Sequence, residues 1–318
     1  MSLSQPASQT ESVQAAVQAT DGRLSTGAGG ARYAPYMFIS PFFIIFALFF
    51  LFPTVFALVL GFFNWRGLGQ PEFFELRNYE RLMRDPIFFQ AVQNTLFYTG
   101  FSLFIIMPLA LLEAMALNAK MLKFKTLWRI LYFAPIVTST VAVAIVFRML
   151  YNREFGLINE FLMSIGLSPV DWLGDPNAVK IAVMGLVVWR WTGLLAVYFL
   201  AGLQSIPETL YEAAAIDGAN GIQRFFYITI PSLRPVILFV SVIVMIGALQ
   251  IFDDPQVLFG SGSPGGPANA GLSIVQYLYS RGIGDLLYGY ASAVGLLLFI
   301  GIFVLSLVQF RVLRGFED

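Results

Sequence analysis

Five residues in two apolar stretches of the sequence are candidates for binding a small polar solute. Trp189, Trp191 and Gly193 lie in one stretch, and Gln250 and Asp253 lie in the other. In helices, Trp189 and Gly193 share one face at four-residue spacing. Gln250, Asp253 and Asp254 share another at three- and four-residue spacing. Aromatic planes cover the apolar faces of a sugar ring, and amide or carboxylate oxygens accept hydrogen bonds from its hydroxyls. We therefore predict a substrate site here. The alternative is that the tryptophans only pack or lie at a membrane interface and that Asp253 and Asp254 begin the outer loop.

Other polar side chains also interrupt apolar stretches. Ionisable groups inside a membrane are costly and are functional candidates by default. Glu113 and Arg148 lie near the ends of their stretches, where long side chains reach the interface, and we interpret them as mainly structural. Arg190 is suited either to an anionic solute or to an acid on a partner chain, and the sequence leaves both open. Asp253 and Asp254 would point about 100° apart on a helix, which makes a poor chelate, and we predict no metal site.

The composition excludes most enzyme chemistry. The 318 residues include no Cys and no His, which rules out thiol and imidazole catalysis, disulfides and Cys/His zinc sites. None of the four Lys follows a Gly, so the chain lacks the Gly-Lys-Ser/Thr turn of a phosphate-binding loop. The 19 basic and 19 acidic residues balance, which gives no electrostatic footprint for nucleic acid. We predict that the chain is not an enzyme, catalyses no reaction itself and holds no cofactor.

The apolar content indicates a membrane protein. Apolar residues make up 58% of the chain and charged residues only 12%, against roughly 25% charged in a soluble domain. About 20 apolar helical residues cross a bilayer core of about 30 Å, and six stretches satisfy this criterion. The predicted fold is an all-α polytopic membrane protein with six transmembrane helices, near residues 36–63, 94–117, 130–150, 181–203, 235–257 and 289–310. Kinks are expected at the prolines inside these stretches: Pro41, Pro53, Pro108 and Pro135.

Charge and composition also predict the domains and the orientation. Residues 1–34 are rich in Ser, Gln, Ala, Thr and Gly, which predicts a disordered cytoplasmic tail, and residues 35–318 then form one six-span domain. Between residues 118 and 129 there are four Lys or Arg and no acid. Because positively charged loops resist translocation, this loop is predicted to be cytoplasmic. Both termini and the loop between spans four and five then lie on the same side.

The loop between spans four and five has the pattern of a helix, a turn and a helix. Ser205 and the Glu three residues later have the spacing of a capping box, which marks a helix start. Gly218 can adopt the left-handed conformation that ends a helix, so the first helix is predicted over 206–217. Asn220 caps a second helix, which Pro231 stops. Three residues at i, i+3 and i+4 give that helix one apolar face: Ile222, Phe225 and Phe226. Taken alone, such a hairpin is typical of packing against the inner ends of its own spans.

The spacing within this loop resembles a known motif. From residue 212 the order is Glu-Ala-Ala, three residues, Gly218, nine residues, Ile, one residue, and Ile-Pro. This pattern is similar to the EAA loop of the membrane subunits of binding-protein-dependent ABC importers, which have Leu where Ile230 stands. In that family the loop forms coupling helices that dock in a groove of the ATP-binding subunit. The resemblance implies this role for loop 205–231 and for eight of its residues: Glu212, Ala213, Ala214, Gly218, Ile222, Phe225, Phe226 and Pro231.

Finer features over residues 36–318 resemble the carbohydrate branch of these importers, the maltose and glycerol-phosphate permeases. They include NTLFYTGFSL at 94–103, LQIFDD at 249–254 and GYASA at 289–293. By this resemblance, the stretches 189–193 and 249–253 contact the sugar.

The resemblance also implies an assembly and a function. The expected partners are a second permease chain in a pseudo-twofold heterodimer, two ATP-binding cassette subunits that bind Mg-ATP, an extracytoplasmic binding protein and membrane lipid. The expected function is ATP-driven import of a sugar, polyol or glycerol phosphate across a bacterial or archaeal cytoplasmic (inner) membrane. The alternative is a secondary carrier or channel in which carboxylates such as Glu113 relay protons or cations. That alternative has no account of the EAA-like loop.

Overall fold

The computed structural model describes residues 33–119, 121–260 and 262–314. The predicted disordered tail, residues 1–34, lies outside the described residues except for its last two. The chain divides into two units, the first ending at Ala57 and the second beginning at Leu58. Within the described ranges the only sheet is a short antiparallel pair in the second unit, β1 Phe63–Asn64 and β2 Glu72–Phe73.

Helices make up most of the remainder. Two of them, α1 and α3, each contain one wider π turn. In chain order, the helices are α1 Pro35–Leu60, α2 Arg77–Leu82, α3 Pro86–Asn118, α4 Lys125–Val137, α5 Thr140–Leu150, α6 Leu157–Ser164, α7 Pro176–Ser205, α8 Glu208–Ile216, α9 Gly221–Arg224, α10 Arg234–Leu249, α11 Asp253–Phe259, α12 Ile274–Tyr279 and α13 Tyr288–Arg314.

The described helices bear out the membrane fold. Five segments are long and apolar enough to cross a bilayer: α1, α3, α7, α10 with α11, and α13. A sixth is the pair α4 and α5, which pass the same test together but are bent by 98°. Counting the bent pair as one span gives six, so the predicted all-α polytopic fold is confirmed.

Span three differs from the continuous helix predicted over 130–150. Its first half begins earlier, at Lys125, and the chain bends at Thr138 and Ser139, whose backbones are not helical. Pro135 lies inside α4 without being the bend itself. The last carbonyls of α4 lose their helical donors at the bend, and the Thr138 hydroxyl donates to the Ala134 carbonyl oxygen at 2.8 Å. A side chain thus supports a break that apolar periodicity does not reveal.

The second span begins eight residues before the predicted Asn94. Asp85 caps α3 by accepting hydrogen bonds from the backbone N–H groups of Ile87 and Phe88 at 2.8 and 3.3 Å. Pro86 then occupies the first helical position, where its missing N–H has no helical partner to lose. Asn94 is buried and donates to the Leu272 carbonyl oxygen at 3.0 Å. The polar first turns therefore contact protein, which is why a purely apolar criterion misses them.

The main core of the second unit surrounds α7. Most of its buried residues come from α3, α5, α7 and α10. Four alanines of this core, on α3 and α7, are fully buried, and small residues allow membrane helices to approach closely. These are Ala110, Ala114, Ala182 and Ala196.

A second core joins α2, the start of α3, α12 and the start of α13. At its edge Asp85 accepts hydrogen bonds from the hydroxyls of Tyr277 and Tyr290 at 2.7 and 3.2 Å, with Arg281 3.6 Å away. Burial raises the pKa of Asp85, but these hydroxyls and the two backbone N–H groups outweigh it, so its pKa lies below the usual value. The carboxylate therefore ties the start of α3 to α12 and α13.

The first unit consists, in its described part, of most of α1. Its apolar side chains remain largely exposed, with Phe38 at 86% and Phe49 at 78% of their full accessibility. Phe42, Phe46 and Phe50 stack along one side at ring-centre distances of 6.2 and 5.0 Å. A surface of this kind is suited to lipid or to another apolar helix.

Candidate functional site

Loop 205–231 contains two short helices joined by a tight turn. Helix α8 ends at Ile216, and Gly218 adopts a left-handed conformation with φ of 80°. The Ala219 N–H donates to the Ala214 carbonyl oxygen at 2.8 Å, which satisfies an end carbonyl of α8. A residue with a Cβ would be strained at Gly218, although nothing lies within 4 Å of that position. The turn therefore requires Gly for its backbone and not for lack of space.

The start of α8 corrects the predicted capping box. The Ser205 hydroxyl donates to the Gly202 carbonyl oxygen at 2.8 Å, and the residue before α8 is Pro207, which has no side-chain cap. Ile206 is extended, with ψ of 123°. A residue before proline is disfavoured in the helical region, so the helix cannot include Ile206 and begins at Glu208.

The second helix has the predicted cap but a different end. The Asn220 side chain accepts from the Gln223 N–H at 2.9 Å, and the Gln223 side chain accepts from the Asn220 N–H at 2.8 Å. Beyond α9 the chain continues through a π turn, Phe225–Thr229, and a further helical turn, Ile230–Ser232. The prediction that Pro231 stops this helix is wrong, because the wider turn places the proline at the start of a new turn, where it needs no N–H partner.

The predicted apolar face of the second helix is divided. Ile222 and Phe226 are 71% and 61% exposed, whereas Phe225 packs against the main core. Tyr227 and Ile216 add further exposed apolar surface. The π turn alters the angular spacing of these residues, so the i, i+3, i+4 pattern does not place all three on one side.

The remaining predicted coupling residues lie close to these side chains in sequence. No residue of α8 is buried, and Glu212 and Ala213 are exposed while Ala214 is half-buried. Pro231 is half-buried. The hydroxyls of Tyr211 and Thr229 lie 3.0 Å apart and join the two halves of the hairpin. The loop is therefore a braced hairpin with an exposed α8.

In the first apolar stretch, Trp189 and Gly193 line a cleft of about 830 Å³ between α3, α4 and α7. The Trp189 ring lies 5.5 Å from the Phe147 ring, centre to centre, and remains 44% exposed. Gly193 is buried where α7 crosses α4, and a Cβ there would collide with the Tyr132 carbonyl oxygen. Gly193 is therefore needed for the close packing of α7 against α4, whereas the partly exposed ring of Trp189 lines the cleft.

Trp191 points to a different group. Its ring N–H donates to Asp254 at 3.1 Å, and the Arg190 guanidinium donates to the other oxygen of the same carboxylate at 2.9 Å. Arg190 also donates to the Thr140 hydroxyl at 2.6 Å. The acid that pairs with Arg190 is thus in this chain, which neither expectation for Arg190 anticipated. The pair is buried and connects α5, α7 and α11.

Gln250 and Asp253 do not share a helix face. Helix α10 ends at Leu249 and α11 begins at Asp253, with a non-helical Phe252 between them. Pro255 explains the break, because its ring would clash with the Ile251 carbonyl in a continuous helix. That carbonyl instead accepts from the Ser273 hydroxyl at 2.7 Å. Gln250 and Asp253 are both exposed and flank the break.

The predicted substrate residues therefore fall into three places: the cleft, the Arg190–Asp254 pair and the break between α10 and α11. Sequence reasoning did not identify Asp254 and Thr140 as the partners of Arg190. Opposite charges at intramembrane depth in two different spans were the available signal. In the part of the chain that the structure describes, no cluster of three acidic side chains is suited to a metal ion.

Comparison with known proteins identifies the family. Residues 31–317 match the model of the binding-protein-dependent transport system inner membrane component. The arabinooligosaccharides transport system permease protein AraP of Bacillus subtilis (strain 168) is 39% identical over 90% of each chain. The lactose transport system permease protein LacF of Rhizobium radiobacter is 36% identical over 88% of this chain and 93% of its own.

A solved structure agrees. A chain of the bacterial alginate ABC transporter, in complex with an alginate pentasaccharide-bound periplasmic protein, has a TM-score of 0.77 and 25% identity, over 90% of this chain and 96% of its own. The chain belongs to the family of binding-protein-dependent transport system inner membrane components, as the EAA-like loop predicts. It is an integral membrane permease subunit of an ABC importer and not an enzyme. This decides against a secondary carrier or channel.

Proposed function

We propose that this chain imports a sugar or a related polyol or glycerol phosphate, with ATP hydrolysis on a separate subunit driving transport through loop 205–231. The observation on which this rests is the exposed, braced hairpin described above. The Tyr211–Thr229 contact joins α8 to the π turn after α9, and the Asn220 capping box fixes the start of α9. A rigid hairpin transmits a displacement from a docked subunit to the spans on either side of it.

The exposed surface of the hairpin is suited to docking. The loop that joins α7 to α10 exposes four large, largely apolar side chains: Ile216, Ile222, Phe226 and Tyr227. In a stable complex such residues would be buried in a groove of the ATPase, and aromatic residues are frequent at the centres of interfaces. The exposed Glu212 is placed to pair with a basic group at the edge of that groove.

A carbohydrate substrate is supported by the relatives and by the available side chains. The relatives compared above are named for arabinooligosaccharides and lactose. Trp189 offers a half-exposed ring, and Gln250 and Asp253 offer exposed acceptors beside a helix break. Trp191 and Gly193 act on the site indirectly, by holding Asp254 and by allowing α7 to approach α4.

The proposed assembly contains a second permease chain, two ATP-binding cassettes and an extracytoplasmic binding protein, in the inner membrane with both termini cytoplasmic. A single hairpin engages one cassette, and a second permease would supply the other. The exposed aromatic side of α1 supports an environment of lipid and partner helices.

The proposal is tested by affinity purification of the chain from gently solubilised native membranes, with partners identified by mass. We expect an ATPase and a second permease to copurify with the wild type, and the ATPase to be lost from the variant Glu212→Ala/Gly218→Val. Gly221→Ala is the matched control, because Gly221 lies in the same loop with ordinary φ and open space around it. Retention of the ATPase by the double variant would contradict the coupling role.

A further inference from the structure

The cleft beside Trp189 extends well beyond the predicted substrate residues. It measures about 830 Å³, within the range of roughly 300–1,000 Å³ that is usual for ligand sites. Below Trp189 its lining includes Thr192 on α7, Tyr132 and Trp128 on α4, and Glu113 on α3. None of these four residues has a role in the site described above.

The cleft runs along the spans toward one end. At 1.5 Å per residue, Trp189 lies about 24 Å from the end of α7 at Ser205. Glu113 lies only about 8 Å from the end of α3 at Asn118, and Trp128 is in the first turn of α4. These three helix ends adjoin the loops that are predicted to be cytoplasmic. The cleft therefore extends from intermediate depth to the cytoplasmic boundary.

One oxygen of Glu113, Oε1, is a polar atom in this apolar cleft that lacks a partner among the described residues. This atom is buried, and no described protein atom hydrogen-bonds to it. A buried acceptor without a donor is unfavourable, and a hydroxyl that enters the cleft would supply the missing bond. The rings of Trp128 and Tyr132 lie 6.3 Å apart, centre to centre, on the same lining. Acceptor and rings together match the hydroxyls and the apolar face of a sugar.

We propose that this cleft is the cytoplasmic exit path of the transported sugar, with Glu113 as a hydrogen-bond acceptor and Trp128 as an aromatic surface along it. The inference rests on the proposed function and orientation, and it adds a second contact region inward of Trp189. The role of Glu113 is that of an acceptor, so it needs a carbonyl oxygen and not a charge.

The first test uses the absence of Cys from the native sequence. Thr192→Cys and Val197→Cys are introduced separately into the assembled transporter in inside-out vesicles and exposed to a membrane-impermeant thiol reagent. Val197 lies on the same helix, closer to the cytoplasmic end and 40% exposed, but outside the cleft lining. We expect at least fivefold faster labelling at Thr192→Cys. Equal rates, or no labelling of Thr192→Cys, would mean that lipid or a partner helix fills the cleft and would overturn the proposal.

The second test compares Glu113→Gln with Glu113→Leu. Gln keeps an acceptor oxygen at the same place, whereas Leu removes it, and loss of one such hydrogen bond changes a rate about tenfold. We expect uptake of radiolabelled arabinotriose or lactose, whichever the wild type accepts, to stay within about twofold in Glu113→Gln and to fall about tenfold in Glu113→Leu. Equal loss in both variants would show that the charge matters and would overturn the acceptor role.

ATP hydrolysis stimulated by the binding protein separates this inference from the proposed function. If the wild type couples hydrolysis to uptake while Thr192→Cys remains unlabelled, the exit path is wrong and the proposed function stands. If the wild type shows no ATPase partner at all, the proposed function fails, and the labelling ratio still decides whether the cleft is open to water.

Discussion

Loop 205–231 and the Arg190–Asp254 pair use polar and apolar side chains in opposite ways. In the loop, apolar side chains such as Phe226 are exposed and the polar caps are local, within a few residues in sequence. In the membrane, charged side chains 64 residues apart in sequence are buried against each other. The loop surface is available for a partner, whereas the Asp254 carboxylate of the buried pair has its partners within the chain, Arg190 and Trp191. Exposure therefore distinguishes the region suited to docking from the region that holds the spans together.

The largest expected effect is on the buried pair. Asp254→Ala leaves Arg190 buried without its carboxylate, and breaking such a pair destabilises a protein by about 3–5 kcal/mol. We expect a clear fall in the unfolding temperature of the purified transporter. Asp253→Ala, at an exposed neighbouring acid, is the control and is expected to unfold within a degree or two of the wild type. Equal destabilisation by both variants would remove the distinction between the two acids.

A smaller effect on stability is expected at the turn of the loop. Gly218→Val forces a branched side chain into a left-handed conformation, at a local cost of about 1–3 kcal/mol. The global unfolding temperature should change little, because the loop is exposed, while hydrogen exchange at residues 212–222 should accelerate. Global unfolding as large as that of Asp254→Ala would show that the loop belongs to the core.

Loss of the loop cap tests the same region more gently. Asn220→Ala removes the hydrogen bond to the Gln223 N–H and is expected to destabilise the second helix by about 1 kcal/mol. Amide exchange at residues 221–224 should rise several-fold. Asn220→Asp preserves the acceptor and is expected to stay near the wild type; the same rise in both variants would contradict the capping role.

The smallest effect concerns Asp85, which lies outside the spans, just before α3, and whose carboxylate contacts α12 and α13. Its pKa is lowered in the folded chain, so its contribution to stability is full above the ordinary pKa near 3.8 and is lost as the pH falls through the lower, folded value. The difference in unfolding temperature between wild type and Asp85→Asn should therefore be constant near neutral pH and shrink below about pH 4. A difference that grows on acidification would contradict this sign.

Sequence patterns predict the parts of this molecule that depend on neighbouring residues. The six apolar stretches, the left-handed Gly218 and the Asn220 cap follow from length, spacing and capping preferences. The bend at Thr138 was missed because Pro135 nearby is the stronger local signal. Helix α8 starts late because Pro207 restricts Ile206.

Tertiary contacts explain the remaining differences. The pairing of Arg190 with Asp254 depends on how α7 and α11 pack, which no local pattern contains. Pro255 could have predicted the break before Asp253. The hydroxyl that satisfies the Ile251 carbonyl at this break belongs to Ser273, in a distant segment. The division between Phe225 and Phe226 depends on a π turn, for which the sequence has no simple signature.

Coupling through loop 205–231 is tested most directly by measuring ATP hydrolysis and sugar uptake side by side in proteoliposomes that contain the assembled transporter. Phe226→Asp places a charge on the exposed loop surface, and Met121→Asp places one on another exposed residue, in the loop before α4. We expect Phe226→Asp to lose ATPase binding and ATP-driven uptake while its unfolding temperature is unchanged, and Met121→Asp to behave as the wild type. Normal ATP-driven uptake by Phe226→Asp would contradict coupling through loop 205–231.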